Sequence, residues 1–189
     1  MSSALVTGAS SGIGLEIART LAPMVDSLII TGRREEPLRD LEKELIGVVD
    51  VKVVIADLST ESGVNFLIEE AGDLDILVNN AGYGLYGRIA DQDPDKLLGI
   101  VDVNIRALTK LGHHHSTNMR MKGKGKILNV ASIAAFQPGP GLAVYCASKA
   151  YVLSLSRAMS AELKGSGVTV TALCPGYVET GFQSTSGMK

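Results

Sequence analysis

With 189 residues, 46% of them hydrophobic, and a net charge of −2, the chain is long enough to bury one substantial core, and a single domain over residues 1–189 is expected. That balance excludes a disordered chain and leaves no electrostatic footprint for nucleic acid. The first residues lack a long apolar core and no run approaches membrane-spanning length, so a cytoplasmic protein with no membrane partner is expected.

Along the chain, Ala4-Leu5-Val6 reads as a short buried strand, Leu5–Thr7, running into Thr7-Gly8-Ala9-Ser10-Ser11-Gly12-Ile13-Gly14. Leu15, Ile17, Ala18 and Leu21 then repeat at helical spacing up to Pro23. A strand, a glycine-rich turn and a helix, in that order, aim free backbone N–H groups and a helix dipole at a pyrophosphate. Gly8 would permit the tight turn, Gly12 the approach of the ligand, and Gly14 close helix packing. An ordinary glycine-rich turn is the plainer alternative. Further strands are expected at Ser27–Thr31, Val51–Ala56, Ile76–Asn79, Lys126–Ala131 and Val168–Leu173. Between them lie amphipathic stretches at Leu38–Leu45, Gly63–Glu70, Pro94–Lys110 and Ala147–Lys164, with Asp93-Pro94 a good helix start. This alternation argues for an α/β fold, a parallel sheet with helices on both faces.

Late in the chain, Tyr145-Cys146-Ala147-Ser148-Lys149 sets a phenol and an ammonium four residues apart, on one helix face. A nearby positive charge lowers a phenol's pKa from about 10 toward a useful working range. Alone, that pair equally suits a core edge beside a solvent face. Cys146 and Cys174 form no Cys-x2-Cys motif, and their number fits a reducing compartment. His113, His114 and His115 fan around a helix and cannot share a face, so no metal site is expected there.

Taken together, these motifs resemble the short-chain dehydrogenase/reductase family over nearly the whole chain, and most closely a bacterial branch often labelled DltE-like. Thr7 to Gly14, including Ser10, Ser11 and Ile13, is similar to the family's coenzyme loop. Asn79-Asn80-Ala81-Gly82 resembles the motif that supports the central sheet and borders the coenzyme. Asn104, Ser132, Tyr145 and Lys149 resemble the catalytic tetrad. Pro175-Gly176-Tyr177-Val178-Glu179-Thr180 resembles the segment that closes over the nicotinamide, with Val178 and Thr180 holding the carboxamide.

The resemblance implies a Rossmann-like, doubly wound sheet of order 3-2-1-4-5-6, with the ligand cleft outside the strands' carboxyl ends. It implies an oxidoreductase that moves hydride between a nicotinamide coenzyme and a carbonyl or alcohol substrate. Ser132 would hold the carbonyl oxygen and Tyr145 would be the general acid/base. Lys149 would lower the Tyr145 pKa and bind the nicotinamide ribose, and Asn104 would hold a water. Ser132 equally suits a strand-end turn, and Asn104 a helix kink. At the end of the second strand, Thr31-Gly32-Arg33-Arg34 carries arginines where an acidic residue would favour NAD(H), so NADP(H) is preferred, with Arg33 the leading contact and Arg34 second. Glu35 and Glu36 are alternative partners for both. Asp57, followed by Leu58, resembles the adenine contact, and could equally cap the next helix.

Two departures from the family pattern bear on activity. Relatives continue past the Pro-Gly segment into a lid, a helix and a last strand, whereas this sequence reaches Lys189 after Ser184-Thr185-Ser186-Gly187. Gly112 and the three histidines fall in a helix that commonly builds the family's dimer contact, which weakens the expectation of a homo-oligomer. A coenzyme-binding module or partner subunit without turnover is therefore the alternative function.

Overall fold

The computed structural model describes residues 2–177, so Val178, Glu179, Thr180 and the stretch to Lys189 lie outside the described residues. Six strands, β1 (Ser3–Thr7), β2 (Ser27–Gly32), β3 (Asp50–Ile55), β4 (Ile76–Asn79), β5 (Gly125–Val130) and β6 (Val168–Leu173), form one sheet of order β3-β2-β1-β4-β5-β6. All neighbours are parallel, with Thr7 level with Thr31 and Asn79 level with Asn129. The expected order and strand positions hold to within two residues at each end.

The period-2 alternation of the strands sorts the core into two layers. Leu5, Ile29, Leu77 and Ile127 face one side, where α3 (Glu61–Ala71), α5 (Leu108–Lys122) and α6 (Ala143–Glu162) supply Leu67, Leu111, Met119 and Met159. Ala4, Val6, Leu28, Ile30 and Val78 face the other, against α1 (Gly12–Leu21) and α2 (Glu35–Glu44) with Ala18, Leu38 and Leu41. β1 is buried on both faces, hence its unbroken apolar run. On the α1 side, among the described residues, that cover reaches only the first half of the sheet. Past it, Ile13 and Ile17 of α1 with Leu128, Thr169 and Thr171 line an open groove of about 830 Å³. β6 accordingly alternates cleanly, with Val168 and Val170 buried and Thr169 and Thr171 exposed.

Between β4 and β5 runs one long helical stretch: α4 (Pro94–Val101), a π-helical segment (Asp102–Ala107) and α5. The Asp93 carboxylate caps its start, accepting from the Asp95 N–H at 2.9 Å. The helix goes well beyond the expected end at Lys110 and is unbroken at Gly112. A Cβ at Gly112 would make only ordinary contact with Met159 of α6, so the helix carries the glycine's low propensity without a packing need for it. His113 is exposed, His114 half-buried and His115 buried, the fanned arrangement that three consecutive helical residues must adopt.

Candidate active site

The reversal of strand order falls between β1 and β4, and there the loops leaving their carboxyl ends are bonded to each other. The Thr7 hydroxyl donates to the Val78 carbonyl at 3.2 Å and accepts from the N–H groups of Asn80 and Ala81 at 2.9 and 3.0 Å. The Asn80 amide returns bonds to the Thr7 and Gly8 carbonyls at 2.9 and 3.2 Å. Gly8 and Gly12 take φ of +67° and +57°, the left-handed region that glycine adopts without strain. A Cβ at Gly14 would collide with the Asn80 amide and the Gly8 carbonyl, so Gly14 is small because the loop folds back against it. Ser11, the residue before α1, makes no side-chain capping bond. The N–H groups of Gly12, Ile13 and Gly14 are thus left for a ligand, since a helix's first turn has no internal acceptors for them.

At the end of β2 both arginines are exposed, and they turn to different partners. The Arg34 guanidinium donates to Ser10 Oγ and Ser11 Oγ at 3.3 and 3.1 Å, lying over the loop. Arg33 points its charge toward Asp57 and Tyr83. Glu35 pairs with Arg39 at 3.2 Å, four residues on. Asp57 accepts from the Ser59 N–H and hydroxyl at 3.0 and 2.8 Å. Burial works to raise its pKa, but those bonds and Arg33 outweigh it and hold it below the usual value. Asp57 is not the helix cap; that is Thr60, whose hydroxyl accepts from the Gly63 N–H at 3.0 Å. The Leu58 side chain is buried in the core, which leaves only its backbone to meet a ligand.

The expected tetrad comes together at the ends of β4 and β5. Ser132 heads a short 3-10 turn, its Oγ accepting from the Ala134 N–H at 3.1 Å. The same hydroxyl is hydrogen-bonded to the Tyr145 phenol. Burial pushes the Tyr145 pKa above its usual 10.0, and the Ser132 bond pulls it partly back. Lys149 lies one helical turn on, its Nζ 5.8 Å from the centre of the Tyr145 ring. That ammonium is buried and donates to the Val130 carbonyl at 2.7 Å. Burial pushes its pKa down to about 8, with Cys174 opposing. The expected lowering of the Tyr145 pKa by Lys149 is therefore corrected: burial dominates, and the ammonium gives one of its three hydrogens to a backbone carbonyl.

Asn104 is buried in the π-helical segment, a widened turn inside an otherwise α-helical stretch. Its Oδ1 accepts from the Tyr83 N–H at 3.1 Å, and its Nδ2 donates to the Tyr83 carbonyl at 3.0 Å and Ser148 Oγ at 2.9 Å. Gly82 closes the group: a Cβ there would lie 3.0 Å from Asn104 Oδ1 and 3.4 Å from Lys149 Nζ. The Pro175 carbonyl accepts from the Ile133 N–H at 3.0 Å, tying the Pro175-Gly176 segment beside Ser132.

A tetrad and a glycine loop on this sheet point to one family, and comparison decides it: the family model described as short chain dehydrogenase matches residues 2–189. The chain belongs to the short-chain dehydrogenase family. Among curated members it is 38% identical to the 3-oxoacyl-[acyl-carrier-protein] reductase FabG of Rickettsia prowazekii over 93% of this chain and 72% of that one. It is 39% identical to sulfoacetaldehyde reductase 2 of Chromohalobacter salexigens over 94% and 73%. A solved short-chain dehydrogenase of Sphingobium yanoikuyae, in complex with NADPH, superimposes with a TM-score of 0.95 at 31% identity, covering all of this chain and 76% of that one.

Several supports of this short-chain dehydrogenase site were not singled out from sequence. Thr7 joins the two loops, and Ser148 joins Asn104 to α6. Beneath the site the Asn79 amide donates to Asn129 at 2.9 Å, and the Asn129 amide to Ser156 at 2.9 Å, a buried ladder from β4 through β5 into α6. Asn79 of that ladder belongs to the segment already expected to support the sheet; for Asn129 the available signal was a polar residue inside an otherwise apolar strand, Ile127-Leu128-Asn129-Val130. The loop before Tyr145 closes the other side, the Gly87 N–H donating to the Gly141 carbonyl at 2.8 Å.

Proposed function

We propose that the chain is an NADP(H)-dependent oxidoreductase that interconverts a carbonyl compound and its alcohol, with Tyr145 as general acid/base. The observation that carries this reading is the Tyr145 phenol, hydrogen-bonded to Ser132 and one helical turn from a buried lysine, in a chain whose first strand runs into an uncapped glycine loop. The loop suits a dinucleotide: its open N–H groups meet a pyrophosphate, and Arg34, exposed beside Ser10 and Ser11, meets a 2′-phosphate through charge-assisted bonds. When bound, the reduced nicotinamide supplies the hydride, the electron pair that forms the new C–H bond.

The protein's residues supply the rest. Ser132 donates to the carbonyl oxygen and stabilises the charge growing on it. Tyr145 gives that oxygen its proton; a phenol kept neutral by burial rests in the loaded state that reduction requires. Lys149, one turn away, stands ready to bond the nicotinamide ribose, and Asn104 fixes the loop that faces it. The FabG and sulfoacetaldehyde reductase relatives are named for different carbonyl substrates, so the reading stops at the carbonyl class. Two free cysteines, Cys146 and Cys174, support a cytoplasmic setting. Binding without turnover is the weaker reading, because all four tetrad residues converge.

The test is NADPH consumption with a panel of aldehydes and ketones, for the wild type and Tyr145→Phe. Turnover should fall by roughly 10²–10⁴ in the variant while NADPH binding holds. Equal turnover in the two proteins would remove Tyr145 from the chemistry.

A further inference from the structure

We propose that Ser148 is a positioning residue that locks Asn104 and the Gly82-Tyr83 loop to the helix carrying Tyr145 and Lys149; its catalytic consequence rests on the function proposed above. Ser148 is completely buried, three residues after Tyr145 and one before Lys149. Its hydroxyl donates to the Tyr145 carbonyl at 2.7 Å. A carbonyl can only accept and a serine has one hydroxyl proton, so Ser148 Oγ must accept on its other side. There it meets Asn104 Nδ2 at 2.9 Å.

The remaining valences of Asn104 are equally committed. The second Nδ2 hydrogen goes to the Tyr83 carbonyl and Oδ1 takes the Tyr83 N–H. Every donor and acceptor in this chain of bonds has one direction only, so the amide has one orientation. The chain joins three separate pieces: α6, the π-helical segment, and the loop after β4. It does so where a Cβ at Gly82 would touch both Asn104 and Lys149, within a few ångströms of the lysine ammonium. A serine bonding back along its own helix is ordinary. A fully buried one that, among the described residues, also makes the hydrogen bond between the Asn104 side chain and α6 sets the register of the catalytic helix against the loop that faces Lys149.

Ser148→Ala removes the bridge and leaves an Asn104 N–H buried without a partner. Two readouts separate positioning from plain structural support. The first is hydrogen exchange at the Tyr83 amide, which needs no activity. In Ser148→Ala it should speed by about tenfold relative to the Leu5 amide in the core, and by about twofold or less in Ser148→Thr, which keeps the hydroxyl. An unchanged ratio in Ser148→Ala overturns the lock. The second is turnover. Ser148→Ala should lower kcat by about tenfold with the KM for NADPH within about twofold, and should have no further effect in an Asn104→Ala background. Additive losses would mean that Ser148 does not act through Asn104, and overturn the catalytic half. Should Ser148→Ala not fold, Ser148→Cys, similar in size but a weaker partner in both bonds, is read in the same way. Wild-type protein that turns over no carbonyl would sink the proposed function, and the exchange ratio would still decide the lock.

Discussion

Replacing His115 with leucine should make the protein more resistant to acid, by an amount the structure sets. His115 is fully buried on α5, and both ring nitrogens lack a hydrogen-bond partner among the described residues. Burial lowers its pKa from 6.5 to about 4, assisted by His114 and Lys122 and opposed by Asp73. The folded pKa lies below the unfolded one, so on acidification the unfolded chain takes up the proton first. Stability is unaffected above about pH 7, falls as the pH drops through 6.5, and levels off only below about 4. At about 1.4 kcal/mol per pH unit the full loss is about 3 kcal/mol, of which about 2 kcal/mol falls between pH 7 and pH 5. Leucine has nearly the volume of histidine, cannot be protonated, and removes two orphaned polar atoms. Urea unfolding at pH 7 and pH 5 would measure the effect. The wild type should lose about 2 kcal/mol more than His115→Leu over that interval. Carboxylates with lowered pKa values, such as Asp26 and Asp75, also weaken the fold in acid, but equally in both proteins, so they cancel in the difference. Equal losses would show that His115 is not buried in its neutral form.

Three further outcomes follow from the site. Arg34→Ala should weaken NADPH binding by roughly 10–100-fold, the worth of a charge-assisted contact, and leave NADH within about twofold; fluorescence titration reads both, and equal losses would detach Arg34 from a 2′-phosphate. Gly14→Ala drives a methyl into the Asn80 amide and the Gly8 carbonyl, and should cost about 1–3 kcal/mol in urea unfolding along with weaker NADPH binding. A substitution neutral in both would mean that the loop has room to move. Lys149→Met should trade activity for stability. Burial lowers the lysine pKa from 10.5 to about 8, a penalty fully present below about pH 8 and relieved toward 10.5. The variant should therefore be more stable than wild type at pH 7, by on the order of 1–3 kcal/mol, with the advantage shrinking above pH 8 and turnover lost. A variant less stable than wild type at pH 7 would contradict the burial argument.

Much of the architecture was legible because it rests on period and punctuation. Val168 to Leu173 alternates, Ala4-Leu5-Val6 does not, and these are the marks of an edge strand and a central one. Gly8, Gly12 and Gly14 follow the first strand, so the tight turn at Gly8 and the close packing at Gly14 could be read from order alone. What was not legible depends on which side chain turns toward which. Two adjacent arginines look alike in sequence; Arg34, at the start of α2, reaches Ser10 and Ser11, and its neighbour does not. Tyr145 and Lys149 share a helix face, yet the strand-end carbonyl of Val130 takes the ammonium, which no local spacing reveals. Asn104 sits in an apparently regular helical stretch, and the sequence signals neither the π-helical widening around it nor its bonds to Tyr83 and Ser148, residues distant in sequence. Gly112 reads as a weak point, yet α5 runs through it unbroken.

The most direct test of the coenzyme site is a thermal-shift titration with NADPH, with NADH run in parallel. A ligand that prefers the folded state must raise the melting temperature by mass action. A saturable rise with NADPH, reached at lower concentration than any rise with NADH, is the predicted result. Cooperative melting with no shift from either coenzyme would contradict it, and would leave the Gly8–Gly14 loop without its ligand.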